Sequence, residues 1–356
     1  MKRKNFKKLI RPNQKVDAAA MAIVGIVLIV VSIYLYRVNF QHGHPSAGHY
    51  VSGRSDPAQA YKNLDLSVAG QASYTGSAVQ NVKDLGISHG VEHRIFRFSV
   101  AKDALTESGL LTLPVTPPPA GGYPVLILCH GYVNPLYYST QKAYLYDMEF
   151  YSRNGFAVLK PDYRGQGLSI SNGSPNGAYY SMAYNTDVMS LIADVKQTPN
   201  FNKNNLNLWG HSMGAYIALR ASVLSHDIKN TIILSGPVGN IQDMFKSYVA
   251  VSDTNNATAG AVRAAQLSAH GTPLSNPGFW NKTSPINYLS QSKTFYQIHV
   301  GSNDLIVPPQ FSADLDAALT ETNHSHEYFV YPSGDHGLWH LRSSIWQRSL
   351  VRLQAP

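Results

Sequence analysis

Cysteine is nearly missing: Cys129 is the single thiol in 356 residues, so no internal disulfide can brace the fold. Charge is sparse as well, with Asp, Glu, Lys and Arg at 14%, against about 25% in an average globular chain. The net charge of +8 does not mark a nucleic-acid surface. Seven of the 29 Lys and Arg stand in residues 1–16, where no acid occurs, and the remainder sets 22 basic against 21 acidic residues. A balanced body offers no basic groove, and no nucleic-acid partner is expected. Gly (27) and Pro (20) are close to average usage and apolar residues reach 44%, which excludes collagen-like and disordered chains. Neither a phosphate-binding glycine loop nor zinc-ligand spacing occurs, so no cofactor and no metal is expected.

One long uncharged run is present. Residues 18–36 (AAAMAIVGIVLIVVSIYLY) carry no charge over nineteen positions, and as a helix they would reach roughly 28 Å, the hydrocarbon thickness of a bilayer. Tyr34, Tyr36 and Arg37 follow, where interfacial aromatic and snorkelling side chains belong. The run exceeds the usual apolar core of a cleaved signal, and no A-x-A site follows it closely. It therefore reads as a transmembrane signal-anchor helix. The positive-inside rule places the basic segment 1–17 in the cytoplasm and the body outside, as a single-pass membrane protein. Residues 37–60 are polar and aperiodic and read as a flexible stalk. Its His42, His44 and His49 lack a thiol or carboxylate partner and read as solvated linker.

Beyond the stalk, short apolar runs alternate with helical stretches. Residues 93–100 (HRIFRFSV) alternate with period two, as a half-exposed edge strand would. Residues 125–129 (VLILC) are continuously apolar, the mark of a strand buried on both faces. The segments 157–160, 206–209, 231–234, 294–300 and 328–331 repeat that mark, with helical stretches at 143–154, 182–197 and 214–225 between them. The expected class is α/β, a mostly parallel sheet of about eight strands with helices on both faces. The interval 237–293 is too long for one connection and reads as a helical cap insertion over the carboxyl edge of the sheet.

The chemistry gathers at that edge. Gly210-His211-Ser212-Met213-Gly214 stands directly after a strand and directly before a helix. A sharp strand-to-helix turn exposes its serine near the positive end of the helix, and small flanking residues let the turn close. Ser212 is the candidate nucleophile. A serine needs a base, and the base needs an acid to orient it. His336 lies in the loop after the last strand, whereas His324 and His326 precede that strand and His340 falls in a helical stretch. Asp304 follows the strand ending at Val300, which completes the chain order Ser212, Asp304, His336. Asp335, adjacent to the histidine, reads as structural, and Asp162 as the cap of its own loop. Two backbone N–H groups should hold a developing oxyanion: that of Met213, after the nucleophile, and that of Tyr132, in the loop after VLILC. Arg164 is expected to bond carbonyls near the site. Tyr132, Tyr137, Tyr138, Tyr179 and Tyr180 are candidates for an aromatic lining.

Taken in order, PVLILCHGY, GFAVLKPDYRGQGLS, LNLWGHSMGAY, SPINYL, VGSNDLIVPP and GDHGL make residues 110–339 resemble an α/β-hydrolase. Within that superfamily they resemble the catalytic domain of prolyl oligopeptidase-type serine peptidases and dienelactone-hydrolase-like esterases. The resemblance implies an α/β-hydrolase domain over residues 61–356, the same triad, and cleavage of peptide or ester bonds through an acyl-enzyme. It departs from the full-length peptidases, which carry a large β-propeller, and GHSMG is equally at home in esterases and lipases. Three readings stay open: a peptidase acting on short peptides, an esterase or acyltransferase acting on small esters, and a non-catalytic cell-surface binding module.

Overall fold

The computed structural model describes residues 64–169, 182–247 and 266–355, together with residue 264. The basic segment 1–17, the apolar run 18–36, the stalk 37–60, Tyr179, Tyr180 and residues 248–263 of the expected cap lie outside the described residues. Among the described residues no helix is long and apolar enough to cross a membrane.

Among the described residues nine strands form one sheet: β1 (Gln80–Ser88), β2 (Val91–Val100), β3 (Leu105–Pro114), β4 (Tyr123–Cys129), β5 (Ala157–Pro161), β6 (Phe201–His211), β7 (Ile228–Leu234), β8 (Phe295–Gly301) and β9 (His326–Tyr331). Their order is β1-β2-β3-β5-β4-β6-β7-β8-β9. β1 pairs antiparallel with β2, β2 with β3, and β3 with β5; every pairing from β5 to β9 is parallel. The expected count of about eight is therefore short by one, and the segment expected at the edge is not there. β2 lies between β1 and β3. Its alternation reports one half-exposed face rather than a free edge. The true edge, QNVKDLGIS, is exposed almost throughout and carries two register shifts against β2. A polar, bulged strand resists pairing with a second chain, and the same features hide it from a search for apolar periodicity.

The parallel centre is built by alternation in runs that look uniformly apolar. In β4, Val125, Ile127 and Cys129 enter one core while Leu126 and Leu128 enter the other. β7 divides likewise, Ile233 against Ile232 and Leu234. Helices α1 (Leu145–Arg153) and α5 (Arg342–Gln354) cover one face through Met148, Tyr151, Ile345, Leu350 and Leu353. Helices α2 (Ala183–Val195), α3 (Met213–Leu224) and α4 (Gln310–Glu321) cover the other. Each fully buried Leu or Ile contributes roughly 1.5–3 kcal/mol, which holds the strand ends in place without a disulfide. Within the interval 237–293, Pro285–Gln291 forms a 3-10 turn whose Leu289 is fully buried in the α3 core.

Candidate active site

The turn between β6 and α3 is one residue long, and that residue is Ser212. Its φ of 54° and ψ of −124° are strained for a residue with a β-carbon. Tertiary contacts enforce the conformation. The Ser212 N–H donates to the Leu234 carbonyl at 2.9 Å, and a β-carbon on Gly214 would fall on the carbonyl of Cys129. That close approach sets the first turn of α3, including the Met213 amide, against the loop that follows β4 and carries Tyr132.

Asp304 and His336 reach the serine from loops after β8 and β9. The two loops are stitched together: Asn303 N–H donates to the Gly334 carbonyl and Ser333 N–H to Ser302 Oγ, both at 2.9 Å. The Asp304 side chain is fully buried. Its Oδ1 accepts from the amides of Ile306 and Val307, each at 2.9 Å, and its Oδ2 accepts from His336 Nδ1 at 2.8 Å. A carboxylate only accepts, so the imidazole proton sits on Nδ1 and Nε2 is left as an acceptor. Ser212 Oγ lies 2.9 Å from that Nε2. The structure thus brings Ser212, His336 and Asp304 into one hydrogen-bonded line, with 19% of the His336 side chain open to solvent. Such a line can take the proton from a serine hydroxyl and return it to a leaving group.

The other candidates go elsewhere. Asp335 accepts the Leu338 N–H at 2.7 Å and closes its own turn. His324 bonds the Thr294 carbonyl and His326 the Asp316 carboxylate, while His340 lies in a 3-10 turn. Asp162 accepts from Tyr138 Oη, Thr140 Oγ1 and the Leu168 amide. Arg164 departs from expectation: it reaches carboxylates, those of Asp187 and Asp103, rather than carbonyls. Tyr138 is buried on Asp162, whereas Tyr132 and Tyr137 are exposed on the loop after β4. That loop, the Asp304 loop and the His336 loop all present large apolar groups to solvent, Leu136 and Tyr137, Leu305 and Ile306, and Trp339.

Sequence reasoning missed a buried polar knot behind the β4 loop. Lys160 Nζ donates to Tyr138 Oη and to the Thr140 carbonyl, at 2.8 and 2.9 Å. Burial pulls the Lys160 ammonium down to about 8 and raises the Asp162 carboxyl. His130, stacked between Tyr138 and Tyr163, is pushed down to about 3 by burial and by Lys160. A surface cleft of about 430 Å³, lined in part by Pro119, Phe156, Lys229 and Leu353, opens at the amino ends of the strands, away from Ser212. Among the described residues no group of three His, Cys, Asp or Glu side chains is placed to hold a metal ion.

Residues 123–277 match the family described as serine aminopeptidase, S33. The acylamino-acid-releasing enzyme of Homo sapiens is 25% identical over 238 residues, covering 64% of this chain. The chain spans only 30% of that relative's length. Among solved structures, dipeptidyl peptidase 4 of Porphyromonas gingivalis superposes with a TM-score of 0.57 at 19% identity, over 74% of this chain and 35% of that one. Acetyl xylan esterase 1 from Thermoanaerobacterium sp. JW/SL YS485 gives a TM-score of 0.60 at 17% identity, over 83% of this chain and 95% of that one. Sheet order, serine turn and these likenesses agree. The chain has an α/β-hydrolase fold, with residues 123–277 similar to the serine aminopeptidase, S33, family and 238 residues similar to the acylamino-acid-releasing enzyme.

Proposed function

We propose that the protein cleaves peptide or ester bonds through Ser212, His336 and Asp304. The line of contacts from Ser212 Oγ through His336 to Asp304 carries this reading. Ser212 Oγ attacks the carbonyl carbon as its proton passes to His336 Nε2. The amides of Tyr132 and Met213 hold the resulting oxyanion. Collapse breaks the bond to the alcohol or amine, which leaves with the proton from His336. Water then attacks the acyl-enzyme, gives its proton to the same nitrogen, and the acid departs as Ser212 regains its hydrogen. Asp304 holds the tautomer and stabilises the imidazolium throughout.

Both bond types have a similar protein beside them, acetyl xylan esterase 1 for esters and the acylaminoacyl peptidase and dipeptidyl peptidase 4 for peptides. The exposed apolar side chains on the three site loops suit a small substrate with an apolar part. Residues 18–36, behind seven basic residues, make the protein a single-pass membrane protein with its body outside the cytoplasm in this reading.

The test uses the full chain with p-nitrophenyl esters of increasing length and with dipeptidyl and prolyl amides, each beside Ser212→Ala. Ester turnover lost in the variant supports the esterase reading, and amide turnover lost in it supports a peptidase. Turnover only with an added alcohol acceptor marks an acyltransferase. If nothing turns over and a fluorophosphonate leaves Ser212 unlabelled, the catalytic reading falls and a binding module replaces it. Retention in the membrane pellet after alkaline carbonate supports the anchor, and release overturns it.

A further inference from the structure

The histidine inside the serine motif has a use that the triad does not account for. His211 is buried at the end of β6. Its Nε2 lies 2.9 Å from the backbone carbonyl of His336, and its Nδ1 lies 2.7 Å from Tyr144 Oη. The Gly131 N–H, in the loop after β4, donates to that same Tyr144 oxygen at 3.0 Å. Chemistry fixes the direction of each bond. A carbonyl cannot donate, so the Nε2 position carries the hydrogen; a neutral imidazole then has a lone pair at Nδ1, which takes the Tyr144 hydrogen. The phenol oxygen is left to accept from Gly131.

We propose that His211 and Tyr144 are positioning residues: they tie the backbone of His336 to the loop that carries the Tyr132 amide, so that base and oxyanion donors are held as one unit. This inference rests on the catalytic reading of Ser212 and His336.

Three further observations support it. Tyr144 adopts a left-handed backbone, φ 57° and ψ 20°, at the head of α1, an unfavourable conformation for a residue with a β-carbon. That conformation accompanies the placement of its hydroxyl between the two loops. A β-carbon on Gly131 would approach the same hydroxyl to 2.6 Å, so the loop admits the bond only as glycine. The groups facing His211 are His336, Tyr144 and Arg342, the last on α5. Burial together with the positive fields of Arg342 and His336 holds the imidazole well below its usual range and therefore neutral. Neutrality is useful here, because its ring centroid is 4.9 Å from that of His336. A second cation at that distance would oppose the imidazolium that forms on His336 during turnover.

The experiment compares wild type with His211→Leu, His211→Gln, Tyr144→Phe and the Leu/Phe double variant. It measures the rate of Ser212 labelling by a fluorophosphonate, and kcat and KM on p-nitrophenyl acetate. A shift of the base by an ångström or less costs up to about 10²-fold. His211→Leu is expected to lose about 10- to 100-fold in labelling rate and kcat, with KM within about twofold. His211→Gln should recover most of the loss, since its amide can donate to the His336 carbonyl and accept from Tyr144. Tyr144→Phe should lose less than His211→Leu, and the double variant no more than His211→Leu alone, as two links of one chain require. The downfield proton resonance of His336 Nδ1–H should move in His211→Leu and return in His211→Gln.

Labelling at the wild-type rate in folded His211→Leu overturns the proposal, as does equal loss in His211→Gln and His211→Leu. Should His211→Leu fail to fold, a wild-type labelling rate in Tyr144→Phe overturns it instead. A wild-type protein that does not label removes the catalytic reading itself, a different result from unequal or equal variants.

Discussion

Two clusters of the same ingredients lie at one edge of the sheet. Ser212, His336 and Asp304 make the first. His130, Asp162, Tyr138, Thr140 and Lys160 make the second, behind the loop after β4. Each has an aspartate, a histidine and at least one hydroxyl, hydrogen-bonded in line in the first, whereas in the second His130 bonds the Gly131 carbonyl and stacks on Tyr138. They differ in access. The His336 ring keeps a solvent-facing fifth of its side chain and points its free nitrogen at a hydroxyl on a strained turn. His130 has no exposure at all, sits between two tyrosine rings, and is held neutral. Composition alone does not make an acid–base site. It needs one nitrogen oriented by a partner and the other open to a reacting atom. The second cluster has the orientation without the opening, and its bonds tie the loop bearing Tyr132 to the end of β5.

That difference predicts opposite phenotypes. Removing Ser212 or His336 should lower ester or amide turnover by about 10⁴- to 10⁶-fold. Asp304→Asn should lower it by about 10⁴-fold, because an amide can donate to Nδ1 and favour the wrong tautomer. Steady-state kinetics beside thermal melts check this. Activity surviving at a tenth of wild type in Ser212→Ala would move the chemistry to another residue.

The second cluster should answer in stability. Asp162→Ala leaves the Lys160 ammonium buried without its carboxylate and strands Tyr138, Thr140 and the Leu168 amide. Each buried donor left unsatisfied costs about 1–3 kcal/mol, and the Lys160 ammonium also loses a nearby negative charge. The protein that remains folded should keep kcat within about threefold, provided the loop after β4 holds its place. Urea titration and active-site counting by fluorophosphonate separate the two quantities. A large loss of kcat at unchanged stability would make Asp162 part of the reacting machinery and erase the contrast.

How far each cluster could be read from the sequence follows from the same contrast. The first was legible because its pieces are tied to local features. A glycine-flanked serine between an apolar run and a helix marks one turn, and Asp304 and His336 each follow a strand that points to the same edge. The second depends on what is packed above it. Lys160 closes the run 157–160, which reads as a buried strand, but the groups that meet its ammonium, Tyr138 and Thr140, stand 22 and 20 residues away. Arg164 reads as a donor to nearby carbonyls because its carboxylate partners Asp103 and Asp187 are 61 and 23 residues away. Tyr144 meets His211 across 67 residues, and no spacing rule reaches that far. β1 escaped for a simpler reason: an edge strand made safe by polar residues and bulges discards the periodicity that would announce it.

The smallest effect expected is a slope. His130 has a folded pKa of about 3, whereas a histidine in the unfolded chain titrates near about 6.5. Between those values the unfolded state takes up a proton and the folded state does not, so stability falls as pH drops from about 6.5 toward 3. The loss is about 1.4 kcal/mol per pH unit for one such histidine. His211 and His299 are held neutral by burial and act in the same direction. The buried carboxyls of Asp147, Asp162 and Asp187 act oppositely. Their folded affinities for a proton are raised, so they gain stability as pH falls through the range above the ordinary carboxyl value. A single total curve therefore hides the histidine term, and a difference curve isolates it. His130→Phe preserves the stacked ring and removes the titrating group. Subtracting its urea-derived stability from that of wild type between pH 6 and 4 cancels the carboxyls and should leave a line of about 1.4 kcal/mol per unit. Parallel curves would mean that His130 carries its proton inside the fold, beside Lys160, and that the second cluster is as open to water as the first.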